Sequence, residues 1–383
     1  MKKTVEEINE KIRNGSAVIL TAEEVSQMSE KNSPEEIFKK VDVVTTGTFG
    51  AMCSSGAFVN FGHADPPIRM EKVKLNNVPV SAGLAAVDVF IGASEEAENN
   101  YKYGGAHVIE SLIKGEDVKL EASAKGTDCY PRKEIRTTIN KNNVNEMYLY
   151  NPRNAYQNYP SAVNTSDKLI YTYMGNLLPQ MGNVNYSTSG ELSPLLNDPE
   201  LRTIGIGTKV FLCGAQGFVS WHGTQFDTSV EKNSKGIPIK NSRTLALIGD
   251  MKKMDPKFIK AAYFHKYGVS IFIGVGIPIP ILDVDIAKFV SIKNRDIETI
   301  VADYGTDGHP EIARTNYQEL QSGSIMLNNK KIRTAPLSSI SKARIIAEKL
   351  KEQIRDGSFV ITKPVQNLPN NTSLNNLEIR GDE

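Results

Sequence analysis

Apolar residues near the start of the chain recur at helical spacing and are followed by short apolar runs. The pattern predicts a helix over residues 5–14, ended by Gly15, and strands over 17–20 and 41–46. Three predicted helices each begin with a capping box, a Ser or Thr followed three residues later by Glu, at Thr4, Thr21 and Ser33. Alternating helices and strands indicate an α/β fold, with a mixed α+β arrangement as the alternative.

The end of the chain repeats this helix–strand pattern. A helix is predicted over residues 341–356 and a strand over 358–362. Seven of ten positions are identical between residues 10–19 and 352–361. Two readings stay open: convergence on the same cap chemistry, or a duplicated unit whose two copies lie side by side in one large domain.

The middle of the chain gives weaker signals, and no linker divides it. Residues 140–189 are rich in Asn and Tyr, which predicts loops and short strands. The longest apolar run, 269–282, is broken by Gly and Pro and is too short for a membrane span. We therefore predict one catalytic domain over residues 1–364 and a flexible tail over 365–383.

Composition narrows the function classes. The chain has 383 residues, 45 Lys and Arg, 44 Asp and Glu, and a net charge of +1, so a strongly basic nucleic-acid binder and a disordered chain are excluded. Three dispersed Cys and no apolar leader predict a cytoplasmic protein without a disulfide framework. The five His lack metal-ligand spacing, so no metal site is expected.

The sequence contains no motif for binding a nucleotide. No P-loop is present, and Gly274-Val-Gly276 lacks the third glycine of a dinucleotide fingerprint, which favours a close-packed strand.

Two cysteines lie in polar or small-residue loops. Cys53 sits in Thr-Gly-Thr-Phe-Gly-Ala-Met-Cys-Ser-Ser-Gly (46–56), where backbone N–H groups could approach an anion or thiolate. Cys129 sits in Gly-Thr-Asp-Cys-Tyr-Pro-Arg (126–132), near basic residues that favour the thiolate. A buried core residue is the alternative for Cys53, and an inert loop thiol is the alternative for Cys129.

The third cysteine, Cys213, follows an apolar strand in Phe-Leu-Cys-Gly-Ala-Gln-Gly (211–217), and burial is the favoured interpretation. The turn after it could still contact a ligand.

These three segments together resemble the homocysteine biosynthesis family of anaerobic archaea and bacteria, over essentially the whole chain. The resemblance implies an enzyme that inserts sulfur into L-aspartate semialdehyde to form L-homocysteine, with Cys53 and Cys129 as the two important cysteines. It also implies a separate ferredoxin-type iron–sulfur partner that supplies electrons, since no cofactor is expected in this chain. The sulfur comes from a sulfide or persulfide donor.

Residue roles follow as expectations. Cys129 carries the sulfur and Cys53 is its partner thiol, with the reverse assignment nearly equal, and His63 is the general acid. Substrate binding is expected from residues in and around the three loops: Arg132 or Arg69 for the carboxylate, with Thr48, Ser54, Ser55, Asp128, Gly214 and Gln216. Neither nucleic acid nor membrane is expected as a partner, and a homodimer is one open alternative. Competing readings are a non-catalytic persulfide carrier, a Cys-dependent acyl or CoA transferase, and a regulatory metabolite-binding protein.

Overall fold

The computed structural model describes residues 2–154 and 156–378. Strands hold 36% of the residues and helices 20%, so the predicted α/β class is confirmed, with sheets as the larger part. The described residues form eight α-helices: α1 (Val5–Arg13), α2 (Ala22–Met28), α3 (Pro34–Lys40), α4 (Gly105–Lys114), α5 (Pro194–Asn197), α6 (Val284–Phe289), α7 (Tyr317–Gln321) and α8 (Ile340–Arg355).

The strands are short and numerous. In chain order they are β1 (Ile19–Thr21), β2 (Val43–Thr45), β3 (Thr48–Ala51), β4 (Gly56–Asn60), β5 (Lys72–Leu75), β6 (Val78–Val80), β7 (Asp88–Gly92), β8 (Glu96–Ala97), β9 (Asn100–Gly104), β10 (Val118–Ser123), β11 (Glu134–Ile139), β12 (Glu146–Asn154), β13 (Ser161–Val163), β14 (Ile170–Thr172), β15 (Gly175–Leu177), β16 (Asn183–Tyr186), β17 (Gly205–Ile206), β18 (Lys209–Leu212), β19 (Ala215–His222), β20 (Leu245–Asp250), β21 (Ile259–Phe264), β22 (Gly268–Gly276), β23 (Pro278–Pro280), β24 (Glu298–Asp303), β25 (Glu311–Asn316), β26 (Ser324–Leu327), β27 (Lys330–Pro336) and β28 (Gln366–Asn367).

Local sequence explains how the N-terminal helices begin. Helices α1, α2 and α3 each have the predicted capping box, in which the Ser or Thr hydroxyl accepts from the N3 backbone and the N3 glutamate accepts in return. The three pairs are Thr4 with Glu7, Thr21 with Glu24, and Ser33 with Glu36. The element boundaries predicted for this region are confirmed to within two residues.

The two similar terminal units are adjacent, as one of the two readings expected. The Asn9 amide exchanges two hydrogen bonds, 2.8 and 3.0 Å long, with the backbone of Ile361. The Arg355 guanidinium donates to the Ile19 carbonyl. The strand predicted over 358–362 is wrong, however, because the backbone there pairs with side chains such as that of Asn9 rather than with a neighbouring strand.

A nine-stranded sheet forms the centre of the fold. Its strands run in the order β21-β22-β18-β19-β20-β12-β4-β7, and β3 also pairs with β22. Helix α8 packs on β22 so closely that a Cβ at Gly274 would lie 2.9 Å from Ile346. A side chain at Gly47 would meet the Ala343 carbonyl at 2.2 Å. The glycines of Gly274-Val-Gly276 therefore serve helix–sheet packing, as the close-packed-strand interpretation predicted.

A second, six-stranded sheet has its own hydrophobic core. Its order is β25-β24-β13-β16-β27-β26, with both parallel and antiparallel neighbours. The two sheets meet where β3 and the turn that follows it in the first sheet face the segments that flank β13 and β16 of the second. The candidate site lies at this junction.

The end of the described chain contacts the rest of the molecule. Strand β28 pairs with β17, Leu368 is buried, and Thr372 hydrogen-bonds with Thr228. Residues 379–383 of the predicted tail lie outside the described residues, and the division at residue 364 stays a prediction. Among the helices of the described ranges, none is long and apolar enough to cross a membrane.

Candidate active site

Cys53 lies in the turn between β3 and β4, at the junction of the two sheets. Its thiol is partly buried and lies 3.0 Å from the Ser270 hydroxyl. The Tyr267 hydroxyl donates to the same sulfur from 3.9 Å. The turn is held by the Ser55 side chain, which bonds the Met52 carbonyl. Cys53 is thus a thiol with two hydroxyl neighbours in a fixed turn.

The thiol opens into a cavity of about 240 Å³. This is below the roughly 300–1,000 Å³ of pockets for drug-sized ligands, so it suits a smaller molecule. Most of the other lining side chains carry hydroxyl groups: Thr48, Ser54, Tyr156, Tyr159, Tyr173, Ser187, Thr188, Ser193, Tyr267 and Ser338. Among the described residues that line it, Arg153 is the only one with a permanent charge. The cavity therefore combines one nucleophile, one cation and many hydrogen-bonding groups.

Arg153 is anchored at one nitrogen. Its Nε donates to the Thr224 hydroxyl at 3.0 Å. Burial raises the pKa of the neighbouring Tyr156 phenol, and the charge of Arg153 together with a hydrogen bond from its side chain opposes that rise. The planar fork of a guanidinium can hold a carboxylate with two parallel hydrogen bonds.

Four tyrosines give the cavity an aromatic wall. Burial raises the pKa of Tyr159 to about 12 and raises that of Tyr173 further still. Burial also raises the pKa of Tyr267, with the Cys53 sulfur adding to the effect. These phenols therefore stay protonated at neutral pH.

Cys129 lies elsewhere, on an exposed loop at the end of the β10–β11 hairpin. Residue Tyr130 of this loop stacks on His63, with ring centroids 6.1 Å apart. His63 follows β4, whereas Cys53 precedes it. The four residue steps of β4 alone span about 13 Å at 3.3 Å each. The two cysteines thus sit toward opposite ends of one strand, and all three cysteines are free thiols.

The other residues predicted around Cys129 share its surface. Arg132 donates to the Asp65 and Pro66 carbonyls, so its guanidinium holds two loops together. His63, Arg69 and Asp128 are exposed. None of these residues is among those that line the Cys53 cavity.

Of the predicted binding residues near Cys53, two line the cavity and one is buried in the turn. Thr48 and Ser54 line the cavity, and Thr48 also accepts a hydrogen bond from Ser189. Ser55 is buried and bonds Met52 and Asn151, which is a structural role in the turn.

Cys213 is completely buried at the tip of the β18–β19 hairpin, as its favoured interpretation expected. Burial raises the pKa of its thiol to about 12, which leaves it protonated and unreactive. Gly214 and Gln216 line a different depression, and the Gln216 amide donates to the Ser358 carbonyl there.

Arg153 and the tyrosines were missed at the level of sequence. They lie in the Asn- and Tyr-rich segment 140–189 and in the β21–β22 hairpin, which offered composition but no motif. Within residues 2–154 and 156–378, no three His, Cys, Asp or Glu side chains converge in a way that could hold a metal ion.

Comparisons with known proteins cover nearly the whole chain. The model of a family described as "Homocysteine biosynthesis enzyme, sulfur-incorporation" matches residues 17–361. A Methanocaldococcus jannaschii protein named L-aspartate semialdehyde sulfurtransferase is 48% identical, over 96% of this chain and 73% of the relative. A Methanosarcina acetivorans protein of the same name is 47% identical, over 96% and 72%. A search of solved structures found no significant match.

Proposed function

Because this chain belongs to the homocysteine biosynthesis family of sulfur-incorporating enzymes, we propose that it inserts sulfur into L-aspartate semialdehyde to form L-homocysteine. The observation that carries this proposal is the pairing of Cys53 with Arg153 in one small cavity. A sulfur nucleophile and a single cation match an aldehyde that also bears a carboxylate. The relatives named for this reaction support the choice of substrate.

The substrate fits with its carboxylate on Arg153 and its aldehyde toward Cys53. The terminal nitrogens of Arg153 take the carboxylate, because charge-assisted paired hydrogen bonds are strong and directional. Hydroxyl oxygens of the lining, such as those of Thr48 and Ser338, accept from the ammonium group. This orientation leaves the carbonyl carbon near the Cys53 turn, where sulfur is delivered.

The chemistry balances with one external reductant. Sulfur at the oxidation level of sulfide becomes bonded to the carbonyl carbon, which gives the thiohemiacetal R–CH(OH)–SH. Loss of water gives the thioaldehyde R–CH=S, and two electrons with two protons reduce it to the thiol R–CH2–SH. The electrons come from a separate ferredoxin-type iron–sulfur protein, as the family resemblance implies.

We assign sulfur delivery to Cys53, the thiol inside the cavity, as a persulfide. Its outer sulfur attacks the aldehyde, and cleavage of the sulfur–sulfur bond then consumes two further electrons from the same reductant. Cys129, exposed on its loop, is the thiol that first accepts a sulfur atom from a persulfide donor, an exchange that needs no oxidant. This reverses the roles first expected, because Cys53 is the cysteine that a bound substrate can reach.

The test uses the full chain with a persulfide donor, which supplies sulfur already at the oxidation level of a persulfide, together with L-aspartate semialdehyde and a low-potential reductant. Homocysteine is measured by mass spectrometry for the wild type and for Cys53→Ser, Cys129→Ser and Cys213→Ala. We expect wild-type turnover, loss of at least a hundredfold in Cys53→Ser, and near-normal rates in Cys213→Ala, whose thiol is buried outside the cavity. Full activity in Cys53→Ser would refute the assignment.

The exposed position of Cys129 supports one second candidate, a persulfide carrier that hands sulfur to another enzyme. A carrier would form a persulfide on Cys129 yet make no homocysteine from the semialdehyde. An acyl transferase would instead form a thioester on Cys53 with no need for sulfide. The same assay, run with and without the persulfide donor, separates these outcomes.

A further inference from the structure

The described residues of the cavity wall offer no carboxylic acid or imidazole as a proton donor. Among the described residues that line it there is no Asp, Glu or His, and the titratable groups are Cys53, Arg153 and the four tyrosines. An arginine does not give up its proton in a protein. His63, the expected acid, stacks on Tyr130 near the far end of β4. A reaction that expels water here therefore needs a phenol as its proton source.

Three phenols form a hydrogen-bonded chain that leaves the cavity. The Tyr159 and Tyr173 hydroxyls are 2.5 Å apart, and Tyr173 is 3.0 Å from the Tyr304 hydroxyl. Tyr159 and Tyr173 line the cavity, whereas Tyr304 does not. Tyr304 stacks on the exposed ring of His309 at 4.1 Å, so the chain ends at the surface.

The other two cavity tyrosines have different neighbours. Tyr267 directs its hydroxyl to the Cys53 sulfur. Tyr156 lies beside the Arg153 guanidinium, which influences its titration. Neither belongs to the hydrogen-bonded chain, so each is better placed to position the thiol or the carboxylate than to import protons.

We propose that Tyr159 is the general acid for water loss, and that Tyr173 and Tyr304 return its proton from the surface. This inference rests on the proposed function, because it assigns the proton that the thiohemiacetal needs. Tyr159 stands at the cavity end of the chain, Tyr173 in the middle and Tyr304 at the outside.

The proton and electron balance is simple. In the thiohemiacetal anion R–CH(OH)–S⁻, the Tyr159 hydroxyl gives its proton to the leaving oxygen. The carbon–oxygen bond breaks, water departs, and the sulfur electron pair forms the C=S bond. The Tyr159 phenolate then takes a proton from Tyr173, Tyr173 takes one from Tyr304, and Tyr304 takes one from solvent. No redox change occurs in this step.

Burial keeps the chain in its protonated form. Burial raises the pKa of Tyr159 to about 12, and burial together with the neighbouring phenols raises that of Tyr173. Both groups are therefore protonated before each turnover. A phenolate formed at either position is unstable in this setting and takes up a proton readily.

Tyr→Phe variants test the chain because each removes one oxygen and keeps the ring. In the homocysteine assay we expect kcat to fall at least a hundredfold in Tyr159→Phe, within the range of general acid catalysis. We expect a fall of about tenfold to a hundredfold in Tyr173→Phe on the same basis. KM should stay within about threefold in both. The matched control is Tyr103→Phe, which also loses one hydrogen-bond partner but lies outside the cavity.

The Tyr304→Phe variant distinguishes proton transfer from a purely structural role, because only a defect in proton transfer can be rescued by a small buffer acid. It touches no substrate, so its kcat should fall through slower proton return, and added imidazole buffer should restore most of the rate. Imidazole should leave the wild type unchanged. A loss in Tyr304→Phe that imidazole does not restore would overturn the relay.

The outcomes distinguish this inference from the function on which it rests. If the wild type makes no homocysteine, the proposed function fails and the relay falls with it. If the wild type is active and Tyr159→Phe and Tyr173→Phe both stay within threefold, the relay alone is wrong. Thermal melting of each variant is measured first, and if Tyr173→Phe does not fold, Tyr159→Phe and Tyr304→Phe decide the matter.

Discussion

Replacing Arg153 by Gln should damage substrate binding more than any other single change of charge. Arg153 is the one permanently charged residue among the described residues that line the Cys53 cavity. Gln is similar in length and polar, so the change removes the charge and the paired nitrogens while disturbing the packing little. The Nε contact to Thr224 is lost as well.

The size of the effect follows from the contacts. A hydrogen bond to a charged group contributes roughly 1.5–3 kcal/mol. With 1.36 kcal/mol for each factor of ten, the loss corresponds to roughly a 10- to 150-fold lower kcat/KM. Because the carboxylate is bound equally in the ground and transition states, most of the change should appear in KM. Arg153→Lys keeps the charge but lacks the paired N–H donors of the planar guanidinium, so it should retain only part of the activity.

Two control measurements show whether the loss comes from the contact between Arg153 and the substrate carboxylate. Thr224→Val removes the Nε anchor and a 3.4 Å hydrogen bond to the Pro152 carbonyl but keeps the charge of Arg153, so its effect should be smaller than that of Arg153→Gln. A substrate aldehyde without the carboxylate should react poorly with the wild type, and Arg153→Gln should not lower that rate further. The variant and the truncated substrate remove the same interaction, so their effects should not add.

A rival assignment is Arg132, which the sequence analysis offered for the carboxylate together with Arg69. Arg132 is already bonded to two backbone carbonyls on the surface. If Arg132→Gln raised KM at least tenfold while Arg153→Gln stayed within twofold, the carboxylate site deduced from the cavity would be refuted.

Two further predictions concern the thiols and the stability of the N-terminal region. With iodoacetamide on the native protein, peptide mass spectrometry should show Cys129 modified first, Cys53 more slowly, and Cys213 only after unfolding, since they are exposed, partly buried and fully buried; rapid labelling of Cys213 would contradict its burial. Asp42→Asn should lower the free energy of unfolding at pH 7 by about 2–3 kcal/mol, because the Asp42 carboxylate binds Lys3, Lys11 and the Val18 N–H. Burial opposes ionisation of Asp42, but these bonds outweigh it and hold its pKa below the usual value, so the contribution is complete above about pH 4 and is lost as the pH falls through the folded-state pKa. Urea unfolding at pH 7 and pH 3 measures this, and a difference between wild type and variant that does not shrink at pH 3 would contradict it.

The sequence predicted those parts of the fold that depend on local interactions. The capping boxes at Thr4, Thr21 and Ser33 each bind only atoms within three residues, so their pattern is complete in the sequence. The adjacency of the termini belonged to one of the two interpretations that the residues shared by both units left open. The extended stretch before Thr362 looked like a strand, yet its pairing depends on the distant Asn9 side chain.

The candidate site likewise contains one part that the local sequence reveals and another that only the fold brings together. Cys53 could be selected because its unusual loop is continuous in the sequence. Its companions Arg153, Tyr173 and Tyr267 come from three separate segments, and only the junction of the two sheets brings them together. Arg132 and His63 were attractive because they lie close in sequence to Cys129 or Cys53, but the length of β4 separates them from the cavity.

The separation of the two cysteines also limits how sulfur can move. Direct exchange needs sulfur atoms in contact, and a disulfide requires Cα atoms within about 7 Å. Strand β4 alone spans about 13 Å between the Cys53 turn and the segment that holds the Cys129 loop. In this conformation a persulfide on Cys129 cannot pass its sulfur to Cys53. Sulfur loaded on Cys129 must therefore reach Cys53 by movement of the Cys129 loop, which the hydrogen bonds from Arg132 to the Asp65 and Pro66 carbonyls hold in place in this conformation.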